Sequence, residues 1–177
     1  MRLAARLLLP FLAALGVGAA HAPAATPQEG AAAPTSGAPA DTARCAAAAH
    51  FLRDVQHMAT ELTPDTLDDW RTRRRLVGCR ITAAGVTPLG TGAEAQQLFE
   101  RLRAAGWTRT PEPRDAPNEA SLRFRRDGSD CLFNVYDEAR LFTEAEFRVI
   151  DAVAPRVGQR RYHVLVQCAE ALPAAVR

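Results

Sequence analysis

Four cysteines, Cys45, Cys79, Cys131 and Cys168, are dispersed through the 177 residues, with no two spaced as a Cys-x-x-Cys pair. What such a set does depends on the compartment, and the N-terminus bears on that. Arg2 and Arg6 flank the start of an apolar run from Leu7 to Ala19, interrupted only by Pro10, and small residues follow at Ala20, Ala22 and Ala24. Basic, apolar and small-residue regions in that order make a secretory signal. Residues 1–24 are therefore expected to be removed on export, by cleavage after Ala24 or Ala20. The run is shorter than the roughly 20 apolar residues of a spanning helix, and Cys45 lies too far behind it to carry a lipid. The mature chain is expected to be periplasmic or secreted, with no part inserted in a membrane. An even number of cysteines in a small exported domain implies structural disulfides.

Residues 25–42 are mostly alanine, proline, glycine and hydroxyl-bearing residues with almost no large apolar side chain. Such a stretch buries too little surface to offset the entropy of ordering it, so a flexible linker is expected. A single globular domain should follow over residues 43–172, with a short tail at 173–177. Aromatic residues are only 6% of the chain, and much of its 47% hydrophobic content is alanine. A core this lean gains from covalent ties.

Hydrophobic periodicity divides the domain into elements. Cys45, Ala48, Leu52, Val55, Ala59 and Leu62 recur every three or four positions, predicting a helix over 44–62 that Thr63 and Pro64 would stop. A helical turn carrying Trp70 is expected over 65–73. Val77, Cys79 and Ile81 alternate, predicting a strand over 76–82. Thr91 and Glu94 read as a capping box for a helix to Ala105 that Gly106 would end, and Trp107 would begin a short return strand. Leu122 and Phe124 alternate with Arg123 and Arg125; Asp127-Gly128 is a hairpin-turn signal; and 131–136 would return antiparallel. The stretch 138–160 reads either as a helix capped by Thr143 and Glu146 or as extended chain. A last strand is expected over 161–168, with Tyr162, Val164, Val166 and Cys168 on one face. The sum predicts an α+β fold: an antiparallel sheet of four to five strands, with two or three helices packed on one face and disulfides holding it. Arg123, Arg125, Asn134, Tyr136, His163 and Gln167 would form the sheet's other, solvated face.

Four cysteines allow three connectivities. Cys131 begins one strand and Cys168 ends another, both in phase with the apolar face, so antiparallel neighbours would set them opposite each other. This favours Cys131–Cys168, leaving Cys45–Cys79 to tie the first helix to the first strand. The dispersed spacing suits neither a redox motif nor a zinc site.

Other side chains form candidate sites. His50, Asp54, His57 and Glu61 would share one helix face and are the candidates for a metal, although the face opposite an apolar stripe is also where solvated residues belong. Arg71, Arg73, Arg74 and Arg75 would suit an anionic partner, but beside Asp68 and Asp69 they read as solvated surface. Ser121, Asp130 and His163 fit no nucleophile elbow or ordered triad. No catalytic or cofactor-binding residue is assigned, and no cofactor is expected. Trp70 and Trp107 are expected in the core.

All 22 basic residues are arginine. Without Arg2 and Arg6 the mature chain would carry as many basic as acidic residues, which argues against nucleic acid held by bulk charge and against a polybasic membrane surface. The arrangement of Gly78-Cys79, a helix ending in Gly106-Trp107, then Cys131 and a final-strand Cys168 resembles small exported proteobacterial proteins of unassigned function. That resemblance spans Leu76 to Cys168 and implies an exported α+β domain with no stated activity. The expected function is a monomeric, non-enzymatic domain that binds or modulates a protein or polymer of the cell envelope. The alternatives are a metal-dependent enzyme using the His50, Asp54 and His57 stripe, and a small-ligand carrier.

Overall fold

The computed structural model describes residues 42–110 and 120–173. The expected signal, nearly all of the linker, residues 111–119 and residues 174–177 lie outside the described residues. The domain opens with a 3-10 turn (Thr42–Cys45), α1 (Ala46–His50) and a wider π turn (Phe51–Val55). β1 (Ala59–Asp69) and β2 (Arg74–Thr87) follow, then α2 (Thr91–Ala104), β3 (Thr108–Arg109), β4 (Ser121–Arg126), β5 (Ser129–Tyr136), α3 (Glu144–Asp151) and β6 (Arg160–Glu170). The strands form one six-stranded sheet in the order β1-β2-β6-β5-β4-β3, antiparallel throughout. The fold is α+β as expected, with one strand more than the upper count.

That extra strand corrects the first helix. The helical segment ends at Val55, and residues 59–69 become the edge strand β1. His57 has φ 55°, a left-handed conformation that breaks the helix. The apolar stripe fails at the same point: Cys45, Ala48 and Leu52 are fully buried, whereas Val55 is 52% and Leu62 42% exposed. Pro64 does not stop a helix but sits within β1, opposite Cys79. An edge strand accommodates proline, because one row of its backbone groups has no ladder partner to lose. Residues 70–73 are the turn of the β1–β2 hairpin, and Trp70 is half exposed rather than in the core.

The remaining local signals act largely as read. Asp127 and Gly128 both have positive φ (49° and 72°), as a two-residue type I′ hairpin requires. At the end of α2, Gly106 has φ 87°; its N–H donates to the Arg103 carbonyl and that of Trp107 to the Leu102 carbonyl, a Schellman closure. The start of α2 differs. Gly90 takes the cap position with no side-chain hydrogen bond, so the Thr91–Glu94 capping box does not form; Glu94 is buried, with Arg101 3.6 Å away. The ambiguous stretch resolves as α3, whose Thr143 Oγ1 accepts from the Glu146 N–H.

One face of the sheet carries the main core. Cys79, Ile81 and Ala83 of β2, Tyr162, Val164, Val166 and Cys168 of β6, Cys131, Phe133 and Val135 of β5, and Phe124 of β4 pack under Leu52, Leu98, Phe99 and Leu102. Trp107 meets Phe133 edge-on, with centroids 5.5 Å apart. Both expected disulfides are present: Cys45–Cys79 pins the N-terminal helical segment to β2, and Cys131–Cys168 joins β5 to β6.

The opposite face is polar, as expected, but not solvated. Arg123, Tyr136 and His163 are 5%, 8% and 2% exposed. α3 covers one end of this face, where Arg148 pairs with Glu61 of β1 and Tyr136 bonds Glu146. The β1–β2 turn folds over the other end, where Arg71 reaches Asp130. Thus α1 and α2 lie on the apolar face and α3 on the polar one. Gly78 is required where the layers meet, since a Cβ there would run into the Cys168 carbonyl oxygen and sit 2.9 Å from Leu67 Cδ1.

Candidate functional site

The polar face holds two carboxylate centres with an open cleft beside one of them. Asp130, fully buried on β5, accepts from Arg125 Nε (2.7 Å) and Nη2 (3.0 Å), from Arg71 Nη1 (3.2 Å) and from the Leu172 N–H (3.2 Å). Burial alone would raise its pKa, but the Arg125 and Leu172 hydrogen bonds outweigh that and hold it below the usual carboxylate range. Arg71 also donates through Nε to Asp69 (2.8 Å), whose other oxygen takes the Thr72 N–H and hydroxyl. Arg71 and Asp130 thus link the β1–β2 turn to β5 across the intervening strand β6.

Glu146, also fully buried, governs the loop from Asp137 to Phe142. Its carboxylate accepts the backbone N–H groups of Arg140 (3.1 Å), Leu141 (2.9 Å) and Phe142 (2.8 Å) and the Tyr136 hydroxyl (3.1 Å). Burial opposes ionisation, yet these donors outweigh it and lower the Glu146 pKa. Phe142 is held at φ 51° and is 73% exposed. A bulky residue rarely adopts that conformation, and the three N–H bonds account for its persistence here. His163 stacks on Tyr136 (5.2 Å, 20°), and its buried Nδ1 has no hydrogen-bond partner among the described residues. Burial, which penalises the imidazolium, lowers its pKa despite the nearby Glu146 charge.

The clamped loop forms one wall of a cleft of about 680 Å³. Asn134, Leu165 and Ser121 line it from the sheet, Tyr136, Arg140 and Leu141 from the loop side, and Thr91 and Gly92 from the start of α2. Ser121 Oγ donates to Asn134 Oδ1 (2.7 Å), so the Asn134 amide nitrogen retains its two donors. Arg140 lies 3.8 Å from Asp137 at the surface. The cleft combines amide and guanidinium donors with leucine side chains, a composition that suits an amphipathic occupant.

Ser121 lines the cleft and Asp130 and Arg71 share a carboxylate centre, but the candidate constellations read from sequence do not assemble as units. His50 Nδ1 and Asp54 Oδ2 lie 2.6 Å apart on an exposed helical surface, but His57 lies past the helix end and Glu61 pairs with Arg148 on the polar face. The four-residue stripe does not exist as one face, and no group of three or more His, Cys, Asp or Glu side chains among the described residues is arranged to hold a metal. Ser121, Asp130 and His163 serve three separate contacts, with Asn134, Arg125 and Tyr136. In the arginine run, Arg71 is drawn inward to Asp69 and Asp130, Arg75 lies 3.5 Å from Asp68, and Arg73 and Arg74 are exposed. Sequence reading missed the roles of Glu146, Asn134 and Leu165. Glu146 alone carried a signal, as the third residue after a capping threonine. No family model, curated protein or solved structure matches the chain.

These ionisations make stability depend on pH in a defined direction. The depressed pKa values of Asp69, Asp130 and Glu146 contribute stability that is present above the unfolded carboxylate range, near pH 4, and is lost as pH falls through the folded values. His163 acts in the same direction at higher pH, because only the unfolded chain readily takes its proton below about 6.5. Urea midpoints are expected to fall from pH 7 to 5 and more steeply below 4. His163→Gln should flatten the first limb and leave the second; an unchanged first limb would exclude His163 as its source.

Proposed function

We propose that this chain is an exported, non-enzymatic binding domain that engages another component of the cell envelope, receiving a short amphipathic stretch of it in the cleft over the polar sheet face. The cleft carries this reading: one wall is a loop fixed by three backbone hydrogen bonds to one buried carboxylate, which also takes the Tyr136 hydroxyl of β5, so the wall is preorganised for binding. The two disulfides fit an oxidising compartment. The buried carboxylates Asp69, Asp130, Glu146 and Glu94 lie against arginines, a tyrosine and backbone N–H groups, a use that serves structure rather than proton transfer. Volume favours a second reading, a small-ligand carrier, because about 680 Å³ lies within the usual range of small-molecule sites.

The test is crosslinking in the intact envelope with wild type, Leu165→Arg and the control Val157→Arg. Leu165 is partly exposed in the cleft, and Val157 is fully exposed elsewhere. Leu165→Arg should lower the recovered adduct at least tenfold while leaving far-UV circular dichroism unchanged, and Val157→Arg should leave the yield unchanged. Equal yields from all three would remove the cleft from the interaction. A bound small mass in native spectra, lost in Leu165→Arg, would favour the carrier.

A further inference from the structure

The registers of three neighbouring strands align three of the four cysteines. Cys79 of β2 lies directly opposite Cys168 of β6, and Cys168 lies directly opposite Cys131 of β5. Side chains directly opposite in a sheet share a face, so Cys79, Cys168 and Cys131 form a rank across the apolar face with Cys168 in the middle. Cys45, on the helical segment above, is bonded to Cys79. The Cα atoms of Cys131 and Cys168 are 4.1 Å apart, the close spacing of a non-hydrogen-bonded pair. The alternation of an antiparallel ladder then makes Cys79–Cys168 a hydrogen-bonded pair, with Cα atoms about 5.5 Å apart, still within disulfide reach. In agreement, Cys79 Sγ lies 3.9 Å from the Cys168 carbonyl oxygen, which points toward β2.

We infer that the rank is an internal thiol–disulfide relay: reduction of Cys45–Cys79 transfers a disulfide across the sheet and leaves Cys131, not Cys79, as the free thiol of the rank. An external dithiol first reduces Cys45–Cys79 to two thiols and is itself oxidised to a disulfide. The Cys79 thiolate then attacks Cys168 Sγ. The Cys79–Cys168 bond forms as the Cys168–Cys131 bond breaks, and Cys131 leaves as a thiolate that takes up the proton Cys79 gave. The second step has no net oxidation or reduction. Displacement at a disulfide needs attacking, central and leaving sulfurs nearly in line, and a rank with Cys168 between the other two supplies that order. All four cysteines are fully buried, so the reductant must act on a transiently opened state. The Cys45 helical segment that covers the rank is the element freed by the first step.

The wild-type chain tests this directly. After treatment with limiting dithiol and an acid quench, free thiols are labelled at low pH with a maleimide and located by peptide mapping. The expected two-thiol species carries label on Cys45 and Cys131 and contains a Cys79–Cys168 crosslinked peptide. Label on Cys45 and Cys79, or on Cys131 and Cys168, would overturn the relay. Cys45→Ser repeats the second step without a reductant: label should appear on Cys131 in at least a tenth of the molecules, and label confined to Cys79 would overturn it.

Discussion

Asp130→Ala is expected to destabilise the domain by about 3–5 kcal/mol, the range for breaking a buried ion pair from one side. The carboxylate is fully buried and holds Arg125 through two hydrogen bonds and Arg71 through a third. Its removal leaves Arg125, 30% exposed, with one remaining contact here, from Nη2 to the Leu172 carbonyl. It also deprives the Leu172 N–H of its acceptor, loosening the chain beyond β6. Arg71 keeps Asp69, so the β1–β2 turn should weaken without coming away. Urea denaturation of Asp130→Ala, Arg125→Met and the double variant checks the account. The double variant should be markedly more stable than the sum of the single losses, because it no longer contains the stranded guanidinium; strict additivity would mean that the two residues do not act as a pair.

Removal of either disulfide as a Cys→Ala pair is expected to cost about 4 kcal/mol on the loop-closure estimate, since the loops span 34 and 37 residues and differ little in chain entropy. The structural consequences should differ. Cys131–Cys168 joins strands already paired along β5 and β6, so its loss should lower global stability and the protection of the slowest-exchanging core amides, without opening any one segment locally. Cys45–Cys79 holds a short helical segment on the sheet, so its loss should also raise exchange across residues 46–55. Calorimetry on both variants with hydrogen exchange on the folded states separates the two. A global loss below 1 kcal/mol for both would refute the view that this lean core depends on its bridges.

Much of the apolar half of the molecule was legible in advance because it follows short-range rules. The alternation of Cys131, Phe133 and Val135 and of Tyr162, Val164, Val166 and Cys168 marked the core face, and the in-phase positions of Cys131 and Cys168 pointed to their bridge. Asp127-Gly128 and Gly106 acted through positive φ, a property of those residues themselves. β1 was misread for a physical reason. Its inward residues are Glu61, Thr63, Asp65, Leu67 and Asp69, and they face a polar layer: Glu61 meets Arg148, Asp65 lies 3.7 Å from Arg80, and Asp69 meets Arg71. Hydrophobic periodicity does not register a strand buried through ion pairs, and the coincidental spacing of Val55, Ala59 and Leu62 extended the helix instead.

The candidate site was less legible. Ser121, Asn134 and Leu165 lie on three strands, and they share a cleft only because β4, β5 and β6 adopt one register and α3 draws the Asp137–Phe142 loop against the sheet. The polar face looked solvated because its charges suggested water as their partner, whereas α3 and the β1–β2 turn supply those partners instead. The α+β class, the turns and the phase of the apolar strands were thus readable from local sequence, each set by neighbours a few residues away. The edge strand, the buried carboxylate centres, the cleft and the cysteine rank instead follow from strand register and from the elements that close over the polar face, neither of which a local hydrophobic pattern encodes.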